Sequence, residues 1–569
     1  MLFFITVLII VGALVYCFRW TGAAGNDWKS IIDGDGKGYY AYFDQIVFKK
    51  NFGRATPDYD HLIKIDNRSL IKYQCGTALL ISPFFLSAAL VSGFPDDPYA
   101  EAYQKSVSVA AIFYLLLGCI FLYLLLSRLK IKPEHIFISL AAALFATNLL
   151  VYSVIQPDMS HVYSFAMISG FLWAAYCYIQ NHKFKHLLFS AITLGIVYLI
   201  RPVNILIIFF VLFFFDDFKS VRIFIKQHIK RLLLFGAFVL LVMAIQNVLW
   251  YIQCGHFFVR AYQNEGFYWL HPEFFKVLFS FRKGLFVYTP ILFIVFLSMA
   301  LLFKKNKFRF FTTLYFLFLL TYIVASWWCW TYFDSFGMRP FVDFYGVFVL
   351  LFALLLNNLK KNLRIIVVVF CIPLLLLNII QSYQYRKNIL SPEYMNFESY
   401  RYIFLKTSDK YVGCIGGSND LVPYNKFEKK LIFSASPDSG NGAIMLFDQK
   451  NEYGGSVRVS NDLELFGAFH SYAEIKFKKW DYRVNGTSNA LFVVSLSYKG
   501  RENAFYKAFP INYLPGSPEN RWKEYSYSMI LPKILEPEYE LTLYIWNSEL
   551  EEFKIKDLEI QILKTAWPE

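Results

Sequence analysis

Two acids and a handful of cations stand out in a chain otherwise dominated by apolar residues. Asp33 and Asp35 lie in Ile32-Asp33-Gly34-Asp35-Gly36-Lys37-Gly38-Tyr39-Tyr40, and Asp158 and His161 lie three apart in Gln156-Pro157-Asp158-Met159-Ser160-His161. The cations are Arg201 before Pro202, the pair Arg282 and Lys283, and Arg339 before Pro340. A positioned carboxylate can take the proton of a hydroxyl that is becoming a nucleophile. A guanidinium beside a proline that opens a helix joins a planar donor fork to unpaired backbone amides, which suits phosphate. Asp158 and His161 could orient an acceptor or hold a divalent ion such as Mg or Mn. Two acids one residue apart are not a diagnostic ligand set, so the sequence does not require a metal.

Such groups are costly inside a bilayer, and the composition says that most of this chain belongs in one. Of its 569 residues 57% are hydrophobic, 20% aromatic and only 17% charged, with a mean hydropathy of +0.41. That excludes an ordinary soluble protein. The formal net charge of +14 does not point to nucleic acid, because the Lys and Arg residues fall in short clusters between apolar segments. Eight scattered cysteines form no Cys-x-x-Cys and no zinc spacing, although Cys254 and Cys329 could pair if both lie outside the membrane.

The elements that must position the polar residues are therefore membrane helices. Apolar segments at 1–18, 107–127, 135–152, 162–179, 187–200, 203–215, 232–251, 285–303, 310–327, 341–357 and 363–380 give about eleven spans. The first is read as an uncleaved helix, despite the small residues Gly22, Ala23 and Ala24 after it, because no cationic stretch precedes it. Basic clusters at 128–132, 183–185, 219–231, 304–309 and 360–364 mark alternate connections as cytoplasmic. The loops at 19–106, 156–160, 252–284 and 326–340 then face outside, with everything after Gln381. The apolar stretch 76–93 would reverse that pattern if it spanned, so it is expected to be an interfacial or re-entrant helix pair. On this topology Asp33, Asp35, Asp158, His161, Arg201, Arg282, Lys283 and Arg339 all fall at the outer ends of helices. Ser160 is the expected N-cap of the helix that follows it. The run Trp327-Trp328-Cys329-Trp330-Thr331-Tyr332-Phe333 before Arg339 reads as an interfacial belt, with a platform for sugar or isoprenoid as the other reading.

After 385 the apolar runs stop. From about Leu431 the pattern alternates with period two, as at Ala473, Ile475 and Phe477, with turn-rich stretches at 485–487 and 514–518. An extracytoplasmic antiparallel β-sandwich over 431–569 is expected, joined by a linker at 386–430. Its closing strands loosely resemble carbohydrate-binding-module jelly rolls, and its aromatics read first as packing.

In combination, the first-loop Asp-Gly-Asp, the 157–165 turn, Arg-Pro-x-Asn at 201–204, Arg-Lys-Gly-Leu-Phe-Val-Tyr-Thr-Pro at 282–290 and Ser-Phe-Gly-x-Arg at 335–339 resemble bacterial GT-C glycosyltransferases. The likeness is to the protein mannosyltransferase and aminoarabinose transferase type, and it covers residues 1–385. It implies a multi-pass enzyme of the bacterial inner membrane that passes a sugar from a polyprenyl-phosphate donor to a glycan, lipid or protein acceptor at the outer face. It implies a catalytic carboxylate in the first outer loop, Asp35 or Asp33, with Asp35 the first choice on a loop loosened by Gly34, Gly36 and Gly38. Arg201, Arg282, Lys283 and Arg339 would bind the donor phosphate, and Asp158 and His161 would serve the acceptor or a metal. A lipid-linked glycan transporter and an O-antigen ligase or polymerase remain as alternatives; a transporter would favour internal repeats and ionisable groups at mid-membrane, which the sequence lacks.

Overall fold

The computed structural model describes residues 1–22, 25, 27–55, 61–263, 265–417, 429–436, 444–481, 490–511, 522–548 and 550–565. The chain divides into two compact units, Met1–Ser382 and Tyr383–Glu569. Ala23, Ala24 and the turns at 485–487 and 514–518 lie outside the described residues.

Among the described residues seven helices are long and apolar enough to cross a membrane: Leu2–Thr21, Glu101–Arg128, His161–Asn181, Phe218–Cys254, Lys307–Ser326, Arg339–Asn358 and Lys361–Arg386. The other segments expected to span are shorter, for identifiable reasons. The 135–152 segment is a helix Pro133–Phe145 followed by a separate turn Leu149–Val154. The 203–215 segment winds as a 3-10 helix, Pro202–Phe214, and 285–303 is interrupted at Thr289-Pro290 before Ile291–Lys305. Phe184–Ile200 ends where Arg201 takes an extended conformation, the backbone that a following proline favours.

In place of a helix pair at 76–93, one continuous helix runs Gly76–Ser92 with Pro83 inside it. It packs on Glu101–Arg128, and Gly76 lets its start approach the Leu199–Ile200 backbone, where a Cβ would come within 2.4 Å. The stretch 19–106 also holds a helix Asp35–Phe43 and a two-stranded ladder, Leu62–Ile65 with Arg68–Ile71. The helices of this unit share one apolar core running from Val7 to Cys371.

In the second unit, helix Phe397–Ile403 lies within the stretch expected to be linker, capped by Asn396, whose side chain accepts from the Ser399 amide at 2.8 Å. Two antiparallel sheets follow. One orders the strands Tyr453–Ser460, Tyr539–Trp546, Leu491–Tyr498 and Arg501–Pro510; the other orders Lys429–Ala435, Phe553–Thr565, Ser471–Asp481 and Lys523–Ile530, with Met445–Phe447 also on Phe553–Thr565. Period-two alternation puts Ala473, Ile475 and Phe477 of one sheet and Leu541, Leu543 and Ile545 of the other into one buried core.

Candidate active site

Asp35 opens its helix as the first residue after Gly34, whose φ of +48° is a turn conformation that suits glycine. The expectation of a loosened loop is corrected here. Gly36 and Gly38 lie inside the helix and serve close approach: a Cβ at Gly36 would fall 1.8 Å from Asp158 Oδ2, and one at Gly38 would fall 2.2 Å from the Tyr73 ring.

The Asp35 carboxylate accepts from Arg339 Nη2 at 2.7 Å on one oxygen and from the Tyr73 hydroxyl at 2.8 Å on the other. Burial pushes this carboxyl up, but the charge of Arg339 and the hydrogen bonds from Tyr73 and Arg339 outweigh it, and the net pKa lies below the usual value. The helix N-terminus adds to the same preference for the charged form.

Arg339 is delivered by a tightly held turn. Asn148 donates to the Phe336 carbonyl at 2.9 Å, Tyr152 accepts from the Phe336 amide at 3.0 Å, and Lys283 donates to the Ser335 carbonyl. Gly337, with φ of +60°, lies where a Cβ would come within 2.9 Å of Tyr288. Arg339 and Pro340 then start a 3-10 turn that runs into Tyr345–Asn358.

Arg201 anchors a second set. Asp343, fully buried, accepts from Asn204 at 2.6 Å, lies 2.6 Å from His161 Nδ1, and sits 3.5 Å from Arg201 Nη1. Asn204 also donates to Ser164 at 3.1 Å. A buried carboxylate met by three polar partners is the arrangement that makes such burial tolerable, and it fixes the direction of Arg201.

Both sets open on one cavity of about 610 Å³, a size suited to a small ligand. Asp35, Tyr39, Tyr73, His161, Arg201 and Arg339 line its polar side, while Leu320, Ile323, Val324, Val203 and Phe344 line an apolar side. Lys72, paired with Glu265 at 2.6 Å, and Arg260 lie on the wall as well. Of the aromatic run, Trp327, Tyr332 and Phe333 reach this cavity.

The structure thus brings together Asp35, His161, Arg201 and Arg339 and sets the other expected residues elsewhere. Asp33 is 68% exposed and pairs with Lys37 at 2.7 Å, outside the cavity lining. Arg282 is exposed, and Lys283 is buried beneath the 335 carbonyl; neither lines the cavity. Asp158 is buried behind the Asp35 helix, where its Oδ2 accepts from the Asp33 amide at 3.0 Å. Ser160 makes no side-chain cap; it lies 3.2 Å from the Tyr39 hydroxyl, which donates to it. Cys254 and Cys329 are free thiols rather than a pair. Asp343, Tyr73 and Lys72 join the site without standing out in the sequence. Asp343 alone carried a signal, as an acid within an apolar segment.

Among the described residues no group of three or more His, Cys, Asp or Glu is placed to hold a metal ion. The Asp158 carboxyl accepts from the Asp33 amide while His161 Nδ1 meets Asp343, so these two donors do not fit a shared ion.

Burial pushes the Asp158 carboxyl up to about 7, against the hydrogen bond from Asp33. A raised acid pKa means that the folded chain holds a proton the unfolded chain has released. Stability from this group is therefore full below the unfolded value of 3.8 and is lost as pH rises towards 7. The loss amounts to about 4 kcal/mol over that window. Thermal melts of the purified protein across pH 5 to 8 are expected to show a fall that Asp158→Asn flattens, since Asn keeps an acceptor for the Asp33 amide. An equal slope in the variant would remove Asp158 from this role.

No family model matches the chain, and no curated protein matches it. Among solved structures the chain is similar to the archaeal oligosaccharyltransferase AglB from Archaeoglobus fulgidus in complex with an inhibitory peptide and a dolichol-phosphate, with a TM-score of 0.39, 12% identity, and coverage of 67% of this chain and 55% of that one. The apo form of the Archaeoglobus fulgidus oligosaccharyltransferase gives a TM-score of 0.38 at 13% identity over 71% of this chain and 60% of that one. Arabinosyltransferase EmbB from Mycobacterium smegmatis gives 0.35 at 9% identity over 98% of this chain and 64% of that one. The chain thus spans little more than half the length of the AglB chain.

Proposed function

We propose that this chain is a GT-C-type membrane glycosyltransferase that moves a sugar from a polyprenyl-phosphate donor to a hydroxyl of a glycan, lipid or protein acceptor at the outer membrane face. One observation carries the reading: a single cavity presents a half-buried carboxylate, two arginines and an apolar wall. The acceptor oxygen attacks the anomeric carbon while Asp35 takes its proton. The bond from that carbon to the phosphate oxygen breaks, and the polyprenyl phosphate leaves with its charge facing Arg339 and Arg201. Cations already fixed by Asp35 and Asp343 stabilise that charge without reorganising, which is where such a site gains most over water. Attack opposite the leaving phosphate gives inversion.

The test is a transfer assay in membranes carrying the protein, with a panel of polyprenyl-phosphate sugars and chromatographic detection of glycosylated acceptor. Covalent transfer from at least one donor is expected. Movement of a lipid-linked glycan across the membrane with no transfer would sink the reading and favour the transporter.

A further inference from the structure

The second unit carries a charged cluster that glycosyl transfer does not use. The rings of Tyr402, Tyr411 and Phe469 pack in a triangle with centroids 5.8 to 6.4 Å apart. Three ammonium groups converge on it. Lys406 lies 4.1 Å from the Tyr402 ring and 4.7 Å from Tyr411; Lys533 lies 3.4 Å from Phe469 and 4.9 Å from Tyr402; Lys410 lies 5.3 Å from Tyr411. Among the described residues none of these three is in an ion pair, and the nearby Asp409 faces Lys387 instead, at 3.7 Å. Ring faces hold the cations in place, but they do not cancel the repulsion among three like charges. An anionic surface would.

The same turn exposes apolar side chains that a solvated surface has no use for. Phe397, Phe404 and Leu405 are 53%, 46% and 50% exposed. Leu405 also sits at φ of +57°, a left-handed conformation that leucine rarely adopts. The turn follows the helix Lys361–Arg386, which is apolar enough to cross a membrane, by fewer than about twenty residues. Apolar tips beside unpaired lysines, close in sequence to a membrane helix, match the composition of a surface that sits in the headgroup layer.

We infer that residues 397–411 with Lys533 form a docking surface for a bilayer rich in anionic phospholipid, in which Phe404 and Leu405 enter the headgroup layer and Lys406, Lys410 and Lys533 meet lipid phosphates. This surface is independent of the glycosyl-transfer reading.

The full chain in lipid nanodiscs tests it by hydrogen exchange. With about 30 mol% phosphatidylglycerol in phosphatidylcholine, exchange over 397–411 is expected to slow about fivefold or more relative to phosphatidylcholine alone, since one lysine near such a surface is worth about that factor. Salt near 1 M should erase the difference, because it shortens the screening length to about 3 Å. The combined variant Lys406→Gln, Lys410→Gln, Lys533→Gln should lose it. Leu405→Asn suits the left-handed backbone and removes the apolar tip, so it should reduce protection without unfolding the turn. Equal exchange in both lipids overturns the proposal. So does the same protection from inorganic phosphate in phosphatidylcholine discs, which would mark a soluble anion site, or protection that grows with protein concentration, which would mark a second copy of the chain.

Discussion

Asp35→Asn is expected to lower the transfer rate by about 10³-fold at saturating donor, within the range that a positioned general base supplies. Asn matches Asp in shape and still offers an acceptor to Tyr73 or Arg339, so the cavity should survive; what it cannot do is take a proton. Asp33→Asn is the paired control. Its carboxylate is exposed and bound to Lys37, so removal should leave the rate within about twofold, the effect of an ordinary surface change. Initial rates in membranes, with melting temperature as a check on folding, separate the two. A dead Asp33 variant beside an active Asp35 variant would reverse the assignment.

That contrast also marks what the sequence made legible. Asp35, Arg201 and Arg339 could be picked out because a charge in an apolar chain is expensive wherever it is not used. The expectation that they share one side of the membrane rests on counting helices and basic loops. The same reasoning could not tell an end-of-helix charge that faces a cavity from one that faces a backbone carbonyl. Lys283 shows the difference: it is expected among the phosphate-binding cations, yet its ammonium supports the Ser335 carbonyl, four residues before Arg339. Asp158 is similar, since its carboxylate holds the Asp33 amide and lies within the space that Gly36 leaves open. Both shape the site from behind its wall.

Tyr73 and Lys72 were out of reach for another reason. They follow a ladder of two four-residue strands, too short for a period-two pattern to register, and their approach to Asp35 and Glu265 is purely tertiary. Asp343 was legible in principle. It lies four residues after Arg339 in a stretch whose pattern is otherwise apolar, and the 3-10 start sets it 3.5 Å from Arg201. The helix count differed through local chemistry, where Pro290 and the Ala146–Asn148 break interrupt apolar runs that look continuous in the one-letter code.

Arg339→Ala should cost about 10²- to 10³-fold in rate, as expected for removing one preorganised donor to developing charge, and it should also change the pH profile. In the native chain Arg339 is the main influence holding Asp35 below the usual carboxylate value against the opposing effect of burial. The base is therefore ionised throughout the neutral range, and it contributes no loss of activity as pH falls from 8 to 6. Without Arg339 burial acts with less opposition and the Asp35 pKa rises, so an acid limb should appear in which activity falls as pH is lowered. A donor phosphate that draws on Arg339 would produce part of the same shift in the native enzyme and strengthen the base at the moment of attack. Because both residues serve one proton transfer, the double variant with Asp35→Asn should be little slower than Asp35→Asn alone. Rates of the two single variants and the double variant across pH 5 to 8 decide it: fully additive losses, or an unchanged profile in Arg339→Ala, would mean that the 2.7 Å contact positions the two side chains without coupling their chemistry.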